Sequence, residues 1–247
     1  MTLSDLTIPT PDVQAIAYAF TPDAGPGPWP AAIMFMDGLG IRPAKFDMAQ
    51  RLADLGYYVL LPDMYWRAAP ADPSSSPTTD EERRNEFLRR RASTDVQKQL
   101  TDVAACLKFL ADEPRALGSR VGVTGYCMGG AIALRAAALH PDQVVAAASF
   151  HGGGLATDSP DSPHLLADRI KAKVLAACAD QDPYCPEAEV ERLDAALKAA
   201  GVDAEVVIYR GAEHGFVPRD MHAYDEAAAE RHWRELAALF EETLKAG

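Results

Sequence analysis

The sequence predicts an α/β fold in one domain spanning residues 1–247, with a mostly parallel central sheet and helices on both faces. Three observations predict it. Short apolar runs alternate with longer amphipathic ones, the pattern of strands joined by crossover helices. A Gly-x-Cys-x-Gly segment stands between a strand-like run and a helix-like run, at residues 125–129. The chain of 247 residues is 48% hydrophobic and 24% charged, an ordinary globular composition at a length one α/β domain fills.

In chain order, residues 13–20 alternate as an edge strand does. Residues 31–36 form a short apolar run, broken by Asp37-Gly38-Leu39-Gly40. Residues 45–55 read as a helix closed by Gly56, and residues 57–61 as a buried strand stopped by Pro62. The stretch 67–79 is rich in Pro and Ser and reads as a long loop, a class that often serves as a lid or binding loop. The charged helix at 80–91 follows it. Its bland reading is a solvated face; its sharper one is a helix over the site that turns an arginine inward. Residues 120–124 form a strand and 128–139 a helix. Strands at 144–150, 174–179 and 204–209 complete the series, separated by helices at about 187–200 and 224–244.

Composition excludes several classes of function. The formal net charge of −12 argues against nonspecific nucleic-acid binding and against anionic membrane surfaces. No apolar run is long enough to span a bilayer. Residues 1–11 lack a basic region followed by an apolar core, so no secretory signal is expected. The four cysteines, at 106, 127, 178 and 185, form no Cys-x-x-Cys pair, and the expectation is a reduced, cytoplasmic protein. Cys106 and Cys178 fall on apolar positions and read as core. No His-Glu-x-x-His motif or Cys/His cluster points to a metal, and no cofactor is expected.

The segment Val121 to Gly130 carries the most chemistry. It reads as strand, tight turn and helix, with Cys127 where a nucleophile elbow places its reactive side chain. Gly125 and Gly129 keep the turn free of bulky neighbours. The N-terminus of the following helix favours a thiolate and developing negative charge. The N–H of Met128 is placed as an oxyanion donor. The α/β-hydrolase order then requires an acid and a histidine after later strands. The acid comes from Asp180-Gln181-Asp182, where spacing leaves both aspartates open; the one not used would cap a helix or bond loop amides. The histidine is His214 in its Gly-flanked loop. His151 also follows a strand end, as a packing or pocket-wall residue. Tyr65, Trp66, Tyr126, Tyr184 and Phe216 fall in loops around the site, with Tyr126 and Phe216 as candidates for its wall.

With these residues in view, the chain resembles the dienelactone hydrolase (carboxymethylenebutenolidase-like) family of α/β-hydrolases over most of its length. Gly125-Tyr126-Cys127-Met128-Gly129-Gly130 is similar to that family's Gly-Tyr-Cys-Leu-Gly-Gly elbow. The family's Asp-x-x-x-Pro turn matches Asp182 with Pro186, which favours Asp182 over Asp180. His214-Gly215-Phe216 matches its His-x-Phe segment, and Leu61-Pro62-Asp63-Met64-Tyr65 resembles its Pro-Asp-Leu-Tyr segment.

The resemblance implies Cys127, Asp182 and His214 as catalytic residues and the N–H groups of Gly38 and Met128 as an oxyanion hole. Where the best-known members carry a glutamate that activates the thiol, this chain has Asp37, one methylene shorter; its alternative reading is a turn cap before Gly38. Family arginines bind a substrate carboxylate. Asp80-Glu81-Glu82-Arg83-Arg84 points to Arg84, and the position four residues past the histidine holds Pro218, with Arg219 one step on. The expected activity is hydrolysis of a small-molecule lactone or carboxylic ester, dienelactone-like, through a thioester, in a monomer with no nucleic-acid or membrane partner. The rivals are a general small-ester carboxylesterase with the same triad and, from another class, a noncatalytic binding or thiol redox-sensing protein on the same fold.

Overall fold

Runs of Val, Ile, Ala and aromatic residues pair into a single sheet in the computed structural model, which describes residues 2–11, 14–23, 25–68 and 80–245. The strands are β1 (Thr2–Pro9), β2 (Gln14–Thr21), β3 (Trp29–Phe35), β4 (Tyr58–Pro62), β5 (Ala116–Tyr126), β6 (Val144–Phe150), β7 (Lys173–Ala179) and β8 (Ala204–Tyr209). Their order is β1-β2-β4-β3-β5-β6-β7-β8. β2 runs against both neighbours; from β4 to β8 every pairing is parallel. This is the mostly parallel, helix-covered sheet of the α/β-hydrolase fold.

The helices are α1 (Pro43–Asp54), α2 (Asp80–Ala92), α3 (Val96–Asp112), α4 (Met128–Leu139), α5 (Glu187–Ala199) and α6 (Glu226–Phe240). α1 opens on a proline, whose missing N–H costs nothing in a first turn. α3 and α6 are capped by Asp95 and Asp225, whose side chains accept from Lys98 N–H and Ala228 N–H at 2.9 Å each. Alternate residues of each strand feed opposite faces. Ile33 and Phe35 join Leu107, Ile132 and Leu193 under α3, α4 and α5. Ala32 and Met34 join Leu52, Trp233 and Phe240 under α1 and α6. Burial on both faces explains the unbroken apolar runs.

The structure differs from the sequence reading at several points. β1 was not expected, because Thr2–Pro9 mixes polar residues with only Leu3, Leu6 and Ile8. It takes the edge position and pairs along all of β2, so residues 13–20 are not an edge. β5 is longer than residues 120–124. The expected helix at 224–244 is α6 followed by a π-helical turn at Glu241–Lys245. The predicted loop at 67–79 begins in a short 3₁₀ turn, Trp66–Ala68, and its remainder lies outside the described residues.

Two features position a site. The chain leaves β3 for β4 on one side and then crosses to β5 on the other, so the loops after β3 and β5 part at the carboxyl end of the sheet, where a crevice forms. Phe35 is in register with Gly125, Gly125 with Ser149 and Ser149 with Ala176, which gathers the loops after β3, β5, β6 and β7 at one edge. Here α4 also crosses β5 at close range. A Cβ on Gly125 would stand 1.9 Å from the Gly129 carbonyl oxygen, and one on Gly129 would stand 2.5 Å from that of Phe35.

Gly125→Ala is therefore expected to destabilise the fold by about 3 kcal/mol or more in urea unfolding. Gly201→Ala meets no atom within 4 Å and carries only a left-handed backbone (φ +71°), so a cost of about 1 kcal/mol is expected there.

Candidate active site

Cys127 sits between β5 and the N-terminus of α4 with φ +54° and ψ −116°, an uncommon conformation for a residue with a side chain. Backbone bonds hold it there. Its N–H donates to Phe150 O at 3.2 Å, and its carbonyl accepts from Gly130 N–H at 3.0 Å and Gly153 N–H at 3.2 Å. The thiol thus lies at the positive end of a twelve-residue helix.

His214 reaches it from the loop after β8. Its Nδ1 is 2.6 Å from Asp182 Oδ2, and the ring lines one cavity together with Cys127. The other Asp182 oxygen accepts from Tyr184 N–H at 2.8 Å. Burial would depress the His214 imidazole, but the bonds and charges of Asp182 and Cys127 outweigh it and push the pKa up to about 10. Asp180, left open beside Asp182 by the spacing, instead accepts from Gly211 N–H and Arg210 at 3.0 Å each, and its N–H donates to Ala212 O at 2.7 Å. It ties the two loops together from the outside.

Gly38 and Met128 both line a cavity of about 910 Å³ that also takes in Cys127, His214, Arg91 and Arg135. Gly38 presents its carbonyl to the Tyr65 hydroxyl at 3.0 Å. Burial pushes the Tyr65 phenol up to about 12, against the pull of Arg91, so it remains a neutral donor. The Met128 sulfur is approached by Arg91 Nη1 at 3.0 Å and Gln99 Nε2 at 3.7 Å. Tyr184, 63% exposed, lays its ring 4.6 Å from that of His214 at the mouth.

Asp37 lines the same cavity, but its carboxylate is occupied. Oδ1 accepts from Leu39 N–H at 2.9 Å and Arg42 Nη1 at 2.7 Å; Oδ2 accepts from Arg42 Nη2 at 2.9 Å and pairs with Lys45 Nζ at 2.8 Å. Burial opposes its charge, yet Lys45 and Arg42 overcome that and hold the carboxyl far below the usual carboxylate range. Oδ1 thus caps the turn around Gly38, the alternative reading of Asp37, and both oxygens are engaged by cations.

The wall expected from the sequence is corrected. Tyr126 is fully buried on the face under α6, where its hydroxyl pairs with His232 Nε2 at 2.9 Å. Phe216 is fully buried against Tyr209 and His151, with ring centres 5.2 Å away in each case. Arg219 lines a separate cavity of about 210 Å³ with Arg51 and Glu230. The Arg84 side chain lies outside the described residues. Among the described side chains of α2, Phe87 and Arg91 line the main cavity. His151 is a wall residue: it is 1% exposed and neither ring nitrogen has a hydrogen-bond partner. Burial and the nearby His214 hold it well below its ordinary pKa. Among the described residues, no three His, Cys, Asp or Glu side chains converge as metal ligands do, and no helix is long and apolar enough to cross a membrane.

A cysteine elbow at the crevice of an eight-stranded α/β-hydrolase sheet, faced by a carboxylate-bonded histidine, defines the class of protein. Within that class the chain belongs to the dienelactone hydrolase family, whose pattern it matches over residues 16–244. It is 29% identical over 254 residues to the carboxymethylenebutenolidase of Rhodococcus opacus, covering 97% of this chain and 95% of that one. It is 28% identical over 243 residues to a Synechocystis protein named as a candidate carboxymethylenebutenolidase, covering 97% and 96%. Among solved structures, a candidate dienelactone hydrolase of Klebsiella pneumoniae superposes with a TM-score of 0.85 at 27% identity, covering 98% of each chain.

The His214 titration is directly measurable. Histidine chemical shifts followed by NMR are expected to give a midpoint near pH 10, falling toward the ordinary 6.5 in Asp182→Asn. The folded chain holds this proton more tightly than the unfolded one. The stability it adds is complete below about pH 6.5 and is lost as pH rises through about 10.

Proposed function

We propose that this protein hydrolyses a lactone or small carboxylic ester by nucleophilic catalysis, with Cys127 as nucleophile and a thioester intermediate. The 2.6 Å contact of Asp182 with His214, whose ring shares a cavity with Cys127, is the observation that carries the reading. His214 takes the thiol proton, and the thiolate adds to the carbonyl carbon. The resulting oxyanion is received by the N–H groups of Gly38 and Met128, the latter on the first residue of α4. The His214 imidazolium returns the proton to the departing alkoxide, leaving an acyl thioester on Cys127. A water then adds, giving its proton to His214; collapse releases the acid and restores the thiol. Asp182 orients the imidazole and stabilises its charged form throughout.

Arg91 gives the substrate class some definition. It supplies a positive charge beside Met128 within a chain of net charge −12, and so suits a substrate bearing a carboxylate, as a dienelactone does. The cavity volume and the absence of Arg219 from its lining favour a second reading, a general carboxylesterase that uses the same three residues on larger neutral esters.

Steady-state kinetics on a dienelactone beside a neutral p-nitrophenyl ester test both readings. Cys127→Ala is expected to remove hydrolysis of both. Asp182→Asn is expected to lower kcat by about 10³- to 10⁴-fold, while Asp180→Asn stays within about threefold of the native chain, since its bonds are loop bonds. A dienelactone preference that Arg91→Ala abolishes supports the anionic substrate. A neutral-ester preference that Arg91→Ala leaves intact supports the carboxylesterase. Hydrolysis that survives Cys127→Ala contradicts the proposal.

A further inference from the structure

A charge cluster outside the Cys127–His214–Asp182 series surrounds Arg42. This residue precedes α1 and stands between two loops. On one side its Nη1 and Nη2 grip both oxygens of Asp37, at 2.7 and 2.9 Å, and Nη1 also donates to Gly40 O at 3.1 Å. On the other side its Nε and Nη2 grip both oxygens of Asp220, at 2.5 and 3.2 Å. Asp37 begins the turn that presents Gly38, closed by Gly40 N–H on Asp37 O at 3.1 Å. Asp220 lies in the loop that follows His214.

We propose that Arg42 is a positioning residue that joins the Gly38 loop to the His214 loop, so that oxyanion donor and acid–base group move as one unit. The inference rests on the roles proposed above for Gly38 and His214.

The geometry favours this over a simple surface pair. A guanidinium is flat and offers its donors in a fixed fork, so one arginine can hold two carboxylates two-pronged and fix their relative orientation. Both loops have further bonds of their own. The Asp37 carboxylate is fastened from below by Lys45, fully buried with its ammonium 2.8 Å from Oδ2 and 4.6 Å from the centre of the Tyr126 ring. In the other loop, Met221 N–H donates to Pro218 O and Asp225 N–H to Phe216 O, each at 3.1 Å, closing the segment just beyond His214. Two cations thus balance two carboxylates, and Asp37 is exposed by only 6%. The contacts span 178 residues of sequence, so the tie acts between parts of the chain that nothing local holds together.

The Asp220 side chain is 41% exposed, and Asp220→Asn removes its charge from the tie while Arg42 and Lys45 keep the Asp37 carboxylate as a partner. Hydrogen exchange read by mass spectrometry is then followed in the distant segment 37–41 of the native chain and of Asp220→Asn. Faster exchange there, with the melting temperature little changed, is expected. Arg42→Lys keeps the charge but cannot span both carboxylates, and the same acceleration is expected. In ester hydrolysis each variant is expected to lose about tenfold to a hundredfold in kcat with KM nearly constant. The double variant should fall no further than the worse single one, because both break one link.

Unchanged exchange at 37–41 in Asp220→Asn would overturn the inference, whatever the kinetics. Losses that multiply in the double variant, or a rise in KM at constant kcat, would also overturn it. A native chain without Cys127-dependent turnover would sink the proposed function instead, and the exchange experiment would still decide whether the loops are tied.

Discussion

The hydrogen bond between Asp182 and His214 is the contact on which the rest of the site depends. An imidazole drawn into a cavity loses affinity for its proton, and without a partner His214 would be neutral there. The carboxylate reverses that balance, with the Cys127 thiol as the second partner. Its own geometry is prepared by the turn that follows β7, which spends the second Asp182 oxygen on the Tyr184 N–H. One buried contact therefore sets the tautomer, the ring orientation and the charge of the proposed acid–base group. The elbow supplies what this pair acts upon: a thiol held at a helix N-terminus by a backbone that only a glycine-flanked turn allows.

Around that pair the charges are sorted by whether they meet a partner inside the protein. Asp37, Arg42, Lys45 and Asp220 pair with one another, from the fully buried Lys45 out to the half-exposed Asp220. Arg91 and Arg135 line the cavity together with Asp95 and Asp161, with Arg91 against the Met128 sulfur and Arg135 on the Asp161 carbonyl. In an acidic chain, such local cations work against the average field, so any preference for an anion rests on short-range contacts and not on long-range steering.

Much of the fold was legible because strands buried on both faces leave apolar runs, and helix-covered sheets leave 3.6-residue periods between them. The loops of Cys127, Asp182 and His214 were legible for a related reason: each follows such a run, and strand ends are where side chains converge. What was lost depends on direction and distance. Tyr126 is the last residue of β5, where each step reverses the side chain, and Phe216 lies in a loop two residues past His214; both are buried in the core. β1 offered too few apolar residues to register as a strand. Spacing could not separate Asp180 from Asp182; only the family resemblance favoured one, and the three-dimensional contacts give each its own partners. The Arg42 cluster joins residues 178 apart, and no local pattern encodes such a contact.

The most direct test of the central claim is to look for the thioester. A neutral p-nitrophenyl ester would be mixed with the native chain, quenched in acid within the first turnover and examined by intact-mass and peptide mass spectrometry. The proposed mechanism requires the mass of one acyl group on Cys127, removed by hydroxylamine at neutral pH and enriched when Asp182→Asn slows deacylation. An adduct on a different residue, or turnover with no acyl adduct at any quench time, would contradict it.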